Sequence, residues 1–209
     1  MKRNGAEIVI ESLKKENVDV IFGYPGGVVL PLYDALYQSG TPRHILTGHE
    51  QGAVHAADGY ARATGKPGVC FATSGPGVCN MVTGIATANM DSIPLVVFSG
   101  QVSTQAIGRD SFQEADITGI TTPITKHNYL VKDVRELPRV IKEAFFIATT
   151  GRPGVVLVDI ATDVFRSETE FVYPETVSLR GYKADFTGRE AAVESAVAAL
   201  EQAERPVLM

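Results

Sequence analysis

Apolar positions along the chain switch between two spacings. From Gly5 to Glu16, Ile8, Val9, Leu13 and their neighbours fall on one face of an amphipathic helix. Val18-Asp19-Val20-Ile21-Phe22 reads as a strand, and Gly23 to Gly27 turns the chain into a second helix carrying Leu30, Leu32, Tyr33 and Leu36. A short strand is expected at 44–47, then a helix made almost wholly of small residues that Gly65 and Pro67 end. Residues 68–73 and 94–99 are near-continuous apolar runs, the pattern of strands covered on both faces of a parallel sheet. Between them Pro76 suits a first helical position, and its helix is expected to run to Met90. Residues 101–123 show no clean period and read as a long functional loop, whereas 134–149 is helical and 154–160 is a last strand. Strand and helix alternate. The pattern predicts an α/β, doubly wound, mostly parallel sheet with helices on both faces.

After Asp163 the character changes. Residues 167–188 are polar and irregular, and 189–203 form a new helix with Val193, Val197 and Leu200 along one stripe. Arg205 to Met209 reads as the opening of a strand, whose backbone groups would need a ladder partner, so a further domain is expected downstream. The expected organisation is a domain at 1–165, a linker at 166–188 and the start of a second domain at 189–209.

Composition narrows the function classes. The 209 residues are 44% hydrophobic and 21% charged, enough apolar material for a sizeable core. A net charge of −5 with no basic run gives no electrostatic footprint for nucleic acid. No apolar run has membrane-spanning length and Lys2-Arg3-Asn4 does not open a signal peptide, so neither membrane nor export is expected. Cys70 and Cys79 have neither metal nor redox spacing and fit a reducing compartment, giving a cytoplasmic expectation.

The stretch from Gly48 to Arg62 carries the main chemical signal. It sets one carboxylate, Glu50, at the mouth of the small-residue helix, which can pack close to a neighbouring backbone and hold the acid rigidly. Two glycine-rich turns, Gly23-Tyr24-Pro25-Gly26-Gly27 and Thr73-Ser74-Gly75-Pro76-Gly77, each follow a strand-like run. Such turns and one acid at strand ends are the material of a cofactor pocket in an open α/β sheet. The plainer alternative is that Glu50 only caps its helix. Ser74-Gly75-Pro76-Gly77 at a helix start invites a phosphate-binding reading. That reading is rejected, because no Lys or metal-ligand acid accompanies the loop. Cys79, in a first helical turn, would have either a lowered thiol pKa or the inertness of a buried thiol, and the second is favoured. His49 and His55 lie on different helix faces, which argues against a metal pair, and His127 reads as structural; no metal ligand set is expected.

These turns, with His49-Glu50-Gln51-Gly52-Ala53, Ala56 to Arg62, Gly100-Gln101-Val102, Phe112-Gln113-Glu114, Thr125 to Asn128 and Gly151-Arg152-Pro153-Gly154, come in an order with a known counterpart. Over residues 4–165 the chain resembles the pyrimidine-binding domain of acetohydroxyacid (acetolactate) synthase large subunits, in the thiamine diphosphate enzyme superfamily. The resemblance implies that Glu50 hydrogen-bonds N1′ of the cofactor's aminopyrimidine, so that the ring can take the thiazolium C2 proton. Apolar walls would favour the protonated carboxyl and the helix N-terminus the charged one; desolvation is expected to win. It further implies pyrimidine-side contacts from Tyr24, Pro25, Gly26, Gly27, Thr73, Pro76, Asn80 and Gln113, and an FAD contact from Arg152. Gly27, Val28, Phe112 and Gln113 would line the substrate channel, although a loop Phe such as Phe112 is as readily a packing anchor.

Diphosphate and Mg2+ would be held by a C-terminal domain, and FAD mainly by a central one. The implied reaction condenses two pyruvates, or pyruvate and 2-ketobutyrate, to 2-acetolactate or 2-aceto-2-hydroxybutyrate with loss of CO2. The implied assembly is a homodimer or homotetramer with a regulatory small subunit. Val28, Cys79, Ser103, Arg109, Ser111 and Ala161-Thr162 depart from the family pattern and bear on the channel rather than the pyrimidine site. A pyruvate oxidase or 2-ketoacid decarboxylase is the nearest rival within the superfamily, and a non-catalytic assembly module is the rival outside it. The 209-residue chain alone is expected to be inactive.

Overall fold

The computed structural model describes residues 1–184 and 187–207, which form two compact units, 1–179 and 180–209. In the first unit the order is β1 (Lys2–Asn4), α1 (Gly5–Lys15), β2 (Val20–Gly23), α2 (Leu30–Ser39), β3 (Arg43–Leu46) and α3 (Glu50–Thr64). Then come β4 (Gly68–Ala72), α4 (Pro76–Cys79), α5 (Val82–Met90), β5 (Leu95–Gln101), α6 (Ile117–Thr121) and β6 (His127–Val131). The unit ends with α7 (Leu137–Thr149), β7 (Val155–Ala161), α8 (Thr162–Arg166) and β8 (Glu168–Glu170); the second unit holds α9 (Glu190–Gln202).

Six strands make one parallel sheet in the order β3-β2-β4-β5-β7-β6. Every residue of β4, β5 and β7 is buried, which is why those segments are mainly apolar in the sequence, with Ser99, Gln101 and Asp159 the buried polar exceptions. The edge strands β3 and β6 stay partly exposed and carry polar residues. One face of the sheet is covered by α1, α2, α7 and α8 around Ile8, Leu13, Phe71, Phe98 and Phe165. The other is covered by α3 and α5 around Val54, Ala57, Met81, Ile85 and Leu157. The two cores share no side chain, because successive strand residues point to opposite faces.

Small residues set how closely α3 approaches. A Cβ on Gly68 would stand 2.2 Å from the Ala57 carbonyl oxygen, and one on Gly84 2.2 Å from Val54 Cγ1. The helix therefore lies nearly on the backbone of β4 and α5, as its composition predicts.

The structure corrects the sequence reading in four places. β1 pairs antiparallel with β8, so the first part of the expected 166–188 linker belongs to the first unit. Tyr173 continues that attachment: its hydroxyl donates to Glu16 Oε1 at 2.8 Å, and Lys142 Nζ donates to the same oxygen at 2.8 Å. The helix expected from Pro76 to Met90 is broken at Asn80-Met81 into α4 and α5. The long 101–123 loop contains the helical turn α6; beyond it, residues 127–131, to which the pattern assigns no element, form the edge strand β6. Of the strand expected at 205–209, Arg205 to Val207 carry no strand, and Leu208 and Met209 lie outside the described residues.

Candidate active site

In this sheet β2 leads to β3 on one side, and the chain then returns to β4 on the other side of β2. That reversal opens a crevice beyond the carboxyl ends of β2 and β4, where ligands bind in open α/β sheets. Glu50 and both glycine turns leave the sheet here.

Glu50 is the first residue of α3, but it is not the cap. His49 has extended backbone, and its Nδ1 accepts from Gln51 N at 3.1 Å. The Glu50 side chain, freed from capping, is 7% exposed and turned inward. Its Oε2 accepts from Asn80 Nδ2 at 3.0 Å. Asn80 reaches it because the break between α4 and α5 falls at that residue. Oε1 faces Gly77, where a Cβ would stand 3.3 Å from it and 2.6 Å from Thr73 Cγ2. Gly26, from the other turn, closes on the same threonine: a Cβ there would lie 2.4 Å from Thr73 Cβ. The two turns therefore meet at Thr73, with Glu50 beside the junction.

Polar atoms around this junction lack partners. Thr73 Oγ1 and Ser74 Oγ are buried and unpaired among the described residues, as are Tyr33 Oη and His44 Nε2 behind Gly23. The Tyr33 and His44 rings meet edge to face, 5.1 Å apart. Burial pushes the Tyr33 hydroxyl well above its ordinary range, with Cys70 and Glu50 adding to the shift. Burial also lowers the His44 pKa against an opposing Gly23 backbone contact, which favours the neutral ring. Native interiors rarely leave such groups unpaired. Two orphaned hydroxyls, a carboxyl and a carboxamide at one crevice fit a polar heterocycle with both donor and acceptor atoms. Gly27, with no atom within 4 Å of a Cβ position, leaves open space beside them.

The remaining expected residues fall into two groups. Tyr24, Pro25, Gly26, Gly27, Thr73, Pro76 and Asn80 all lie at the crevice. Gln113 comes to it through its backbone: with φ +59° it presses its carbonyl oxygen to 2.2 Å from a Cβ position on Gly75. Phe112, beside it, is 87% exposed and packs as no anchor within this chain. Val28 is held from two sides, by Gly100, whose Cβ position is 2.7 Å from Val28 Cγ1, and by Thr162, whose hydroxyl donates to the Val28 carbonyl at 3.3 Å. Arg152 is elsewhere. It precedes β7 at the amino-terminal rim, opposite Glu50, and donates to Ser92 Oγ at 2.7 Å and to the Met90 carbonyl at 3.4 Å.

Cys79 is half-buried, and burial raises its thiol pKa, as an inert thiol requires. His127 meets Tyr129 edge to face with ring centroids 4.5 Å apart, a packing role. Among the described residues no group of three His, Cys, Asp or Glu side chains could hold a metal, and no helix is long and apolar enough to cross a membrane.

Sequence reasoning missed one network. Asp159, 1% exposed on β7, accepts from Ser99 Oγ at 2.7 Å and Gln101 Nε2 at 2.9 Å. Its signal was a lone acid inside the apolar run from Val155 to Ile160.

Comparison with known proteins identifies the family. Residues 3–120 match the model of the thiamine pyrophosphate enzyme family, N-terminal TPP binding domain. The chain is 52% identical over 207 residues to the acetolactate synthase large subunit of Corynebacterium glutamicum, covering 99% of this chain and 33% of the relative. It is 55% identical over 204 residues to an acetolactate synthase of Mycobacterium bovis, covering 98% and 33%. It is 51% identical over 207 residues to the isozyme 3 large subunit of Escherichia coli, covering 98% and 36%. The chain thus spans about a third of the length of the curated relatives it matches. It belongs to the thiamine pyrophosphate enzyme family, whose N-terminal cofactor-binding domain it carries.

Proposed function

We propose that the chain supplies the pyrimidine-binding part of an acetolactate synthase large subunit. The protein it serves would condense two pyruvates to 2-acetolactate and CO2, or pyruvate and 2-ketobutyrate to 2-aceto-2-hydroxybutyrate and CO2. The observation that carries the reading is Glu50: buried, relieved of capping by His49, and fixed by Asn80 at 3.0 Å between the two glycine turns.

When bound, thiamine diphosphate supplies a ring carbon that adds to a 2-ketoacid carbonyl and stores the electron pair left by CO2. The residues present here divide the remaining work. Glu50 holds or passes a proton at the aminopyrimidine nitrogen, and Asn80 fixes the orientation of its carboxyl. Thr73 and Ser74 offer hydroxyls to the ring's polar edge. Tyr24, Pro25, Gly26 and Gly27 form a wall close enough for a flat ring to lie on. Val28, Phe112 and Gln113 border the path by which the ketoacid enters.

The diphosphate, Mg2+ and most FAD contacts fall to other parts of a longer protein, with Arg152 as this chain's own FAD contact at the opposite rim. A homodimer or homotetramer, a regulatory small subunit and a cytoplasmic location complete the proposal; the two free thiols support the last. Glu50→Gln in the longer protein tests it. Loss of a positioned acid–base group is expected to slow C2–H exchange of bound cofactor by about 10²–10⁴-fold. Unchanged exchange would remove Glu50 from the chemistry. Acetaldehyde or acetyl phosphate in place of acetolactate would assign the chain to a sibling enzyme.

A further inference from the structure

The acid–base chemistry proposed above makes no use of Asp159, yet this carboxylate is the most deeply placed charged group in the parallel sheet. Its partners explain the position. Ser99 Oγ satisfies Oδ1 and Gln101 Nε2 satisfies Oδ2. The Gln101 amide nitrogen also donates to the Ala115 carbonyl at 3.1 Å, and Gln101 Oε1 accepts from Val102 N at 2.9 Å. A carboxylate and a carbonyl both demand an N–H, so the carboxamide has only one workable orientation. Val102 and Ala115 are the two ends of the loop that follows β5. One side chain therefore pinches that loop shut at its base.

The loop body is ordered from within. Glu114 accepts from Ser111 N at 2.9 Å and from Gly108 N, and Ser111 Oγ donates to the Ala106 carbonyl at 3.0 Å. Farther along, Gln113 in left-handed backbone abuts Gly75, itself at φ +56°. A glycine is required at 75 on both counts, conformation and space.

We propose that Asp159 and Gln101 are positioning residues: together they close the base of the 102–116 loop and so hold Gln113 against the Thr73–Gly77 turn beside Glu50. The proposal rests on the functional reading only for what Gln113 faces there. The charged groups lining the cavity of about 340 Å³ on the open side of Asp159 are Asp110, Glu114 and Asp116, all from the loop; β6 contributes Leu130.

Amide hydrogen exchange on the 209-residue chain tests it through Gln101→Glu. Two facing carboxylates can share a proton in mild acid but repel once both ionise. Protection in 102–116, corrected for intrinsic exchange, should already lie below wild type at about pH 5, because one O–H cannot serve both Asp159 and the Ala115 carbonyl, and should fall at least about tenfold further by about pH 8. Strands β4 and β7 should keep theirs at both values. Gln101→Met, which removes the tie without adding charge, should lose loop protection at every pH. Ser99→Ala, which leaves the loop contacts in place, should keep it. Full loop protection in Gln101→Met, or a loss shared equally by the strands, overturns the proposal. Exchange needs neither cofactor nor turnover, so these outcomes are read independently of whether the longer protein makes acetolactate.

Discussion

Asn80 donates its carboxamide to Glu50 across 3.0 Å, joining the break between α4 and α5 to the first residue of α3. The contact assigns a direction to the acid: one oxygen is committed to Asn80, leaving Oε1 near Gly77 to meet a ligand. Asn80→Asp is the informative change. A second carboxylate at that distance cannot ionise freely beside the first, so one of the pair will retain a proton to higher pH. In the longer protein, kcat should fall about tenfold or more at alkaline pH and recover as pH falls, the recovery marking the pair's apparent pKa. Asn80→Ala should lower kcat without that pH signature. A pH profile identical in the two variants would separate Asn80 from Glu50.

Gly75 is a contact point between the loop and the Thr73–Gly77 turn. Gly75→Ala meets a positive φ and a Gln113 carbonyl oxygen 2.2 Å from the new Cβ. At φ +56° and ψ −115°, outside the left-handed helical well, the backbone costs an alanine about 1–3 kcal/mol, and the clash can be relieved by moving the loop. Stability in urea is expected to drop by about that amount, with exchange protection lost in 102–116. A variant that keeps full loop protection would show that Gln113 can shift without releasing the loop.

Asp159 gives the fold a pH dependence of definite sign. Burial raises its pKa from the ordinary 3.8 to about 6, Asp116 adds to the rise, and the Ser99 and Gln101 hydrogen bonds oppose it. The folded state therefore binds this proton more tightly than the unfolded chain. Its contribution to stability is fullest below about pH 4 and is lost as pH rises through about 6. The shift is worth about 3 kcal/mol at the outside. Subtracting Asp159→Asn from wild type cancels the other carboxylates. The difference in urea midpoint should move against the wild type between about pH 4 and about pH 7 and then level off. A flat difference would mean that the Ser99 and Gln101 donors compensate the buried charge in full.

The sheet's centre was legible because burial on both faces leaves a trace: β4, β7 apart from Asp159, and the first four residues of β5 are apolar. Glu50 was legible because a helix of small residues packs close to its neighbours and so carries the acid at its head into the crevice. β6 was not, since an edge strand half-exposed to water can be written His-Asn-Tyr-Leu-Val and shows no apolar run. β1 and β8 were hidden for a different reason: three-residue strands from the two ends of the domain specify each other only when paired. Asn80 was expected at the site from the family resemblance, but the helix break that aims it depends on packing. The rim that carries Arg152 follows from strand direction, a property of the whole sheet rather than of its own turn.

The approach of α3 to α5 supplies the last test, because it separates packing from chemistry. Gly84 is buried, and a Cβ there would stand 2.2 Å from Val54 Cγ1 and 3.0 Å from Val54 Cγ2. Val54 is itself fully buried one turn after Glu50, so crowding at this point pushes on the helix that carries the acid. Gly84→Ala should destabilise by about 1–3 kcal/mol through overpacking, despite alanine's better helix propensity. Val54→Ala should cost about 1–3 kcal/mol by opening a cavity. In the double variant the new methyl fills space the valine vacated, so the combined loss should fall short of the sum by about 1 kcal/mol or more. Simple additivity would mean that α3 and α5 can slide apart. Glu50 would then owe its position to Asn80 and the glycine turns alone.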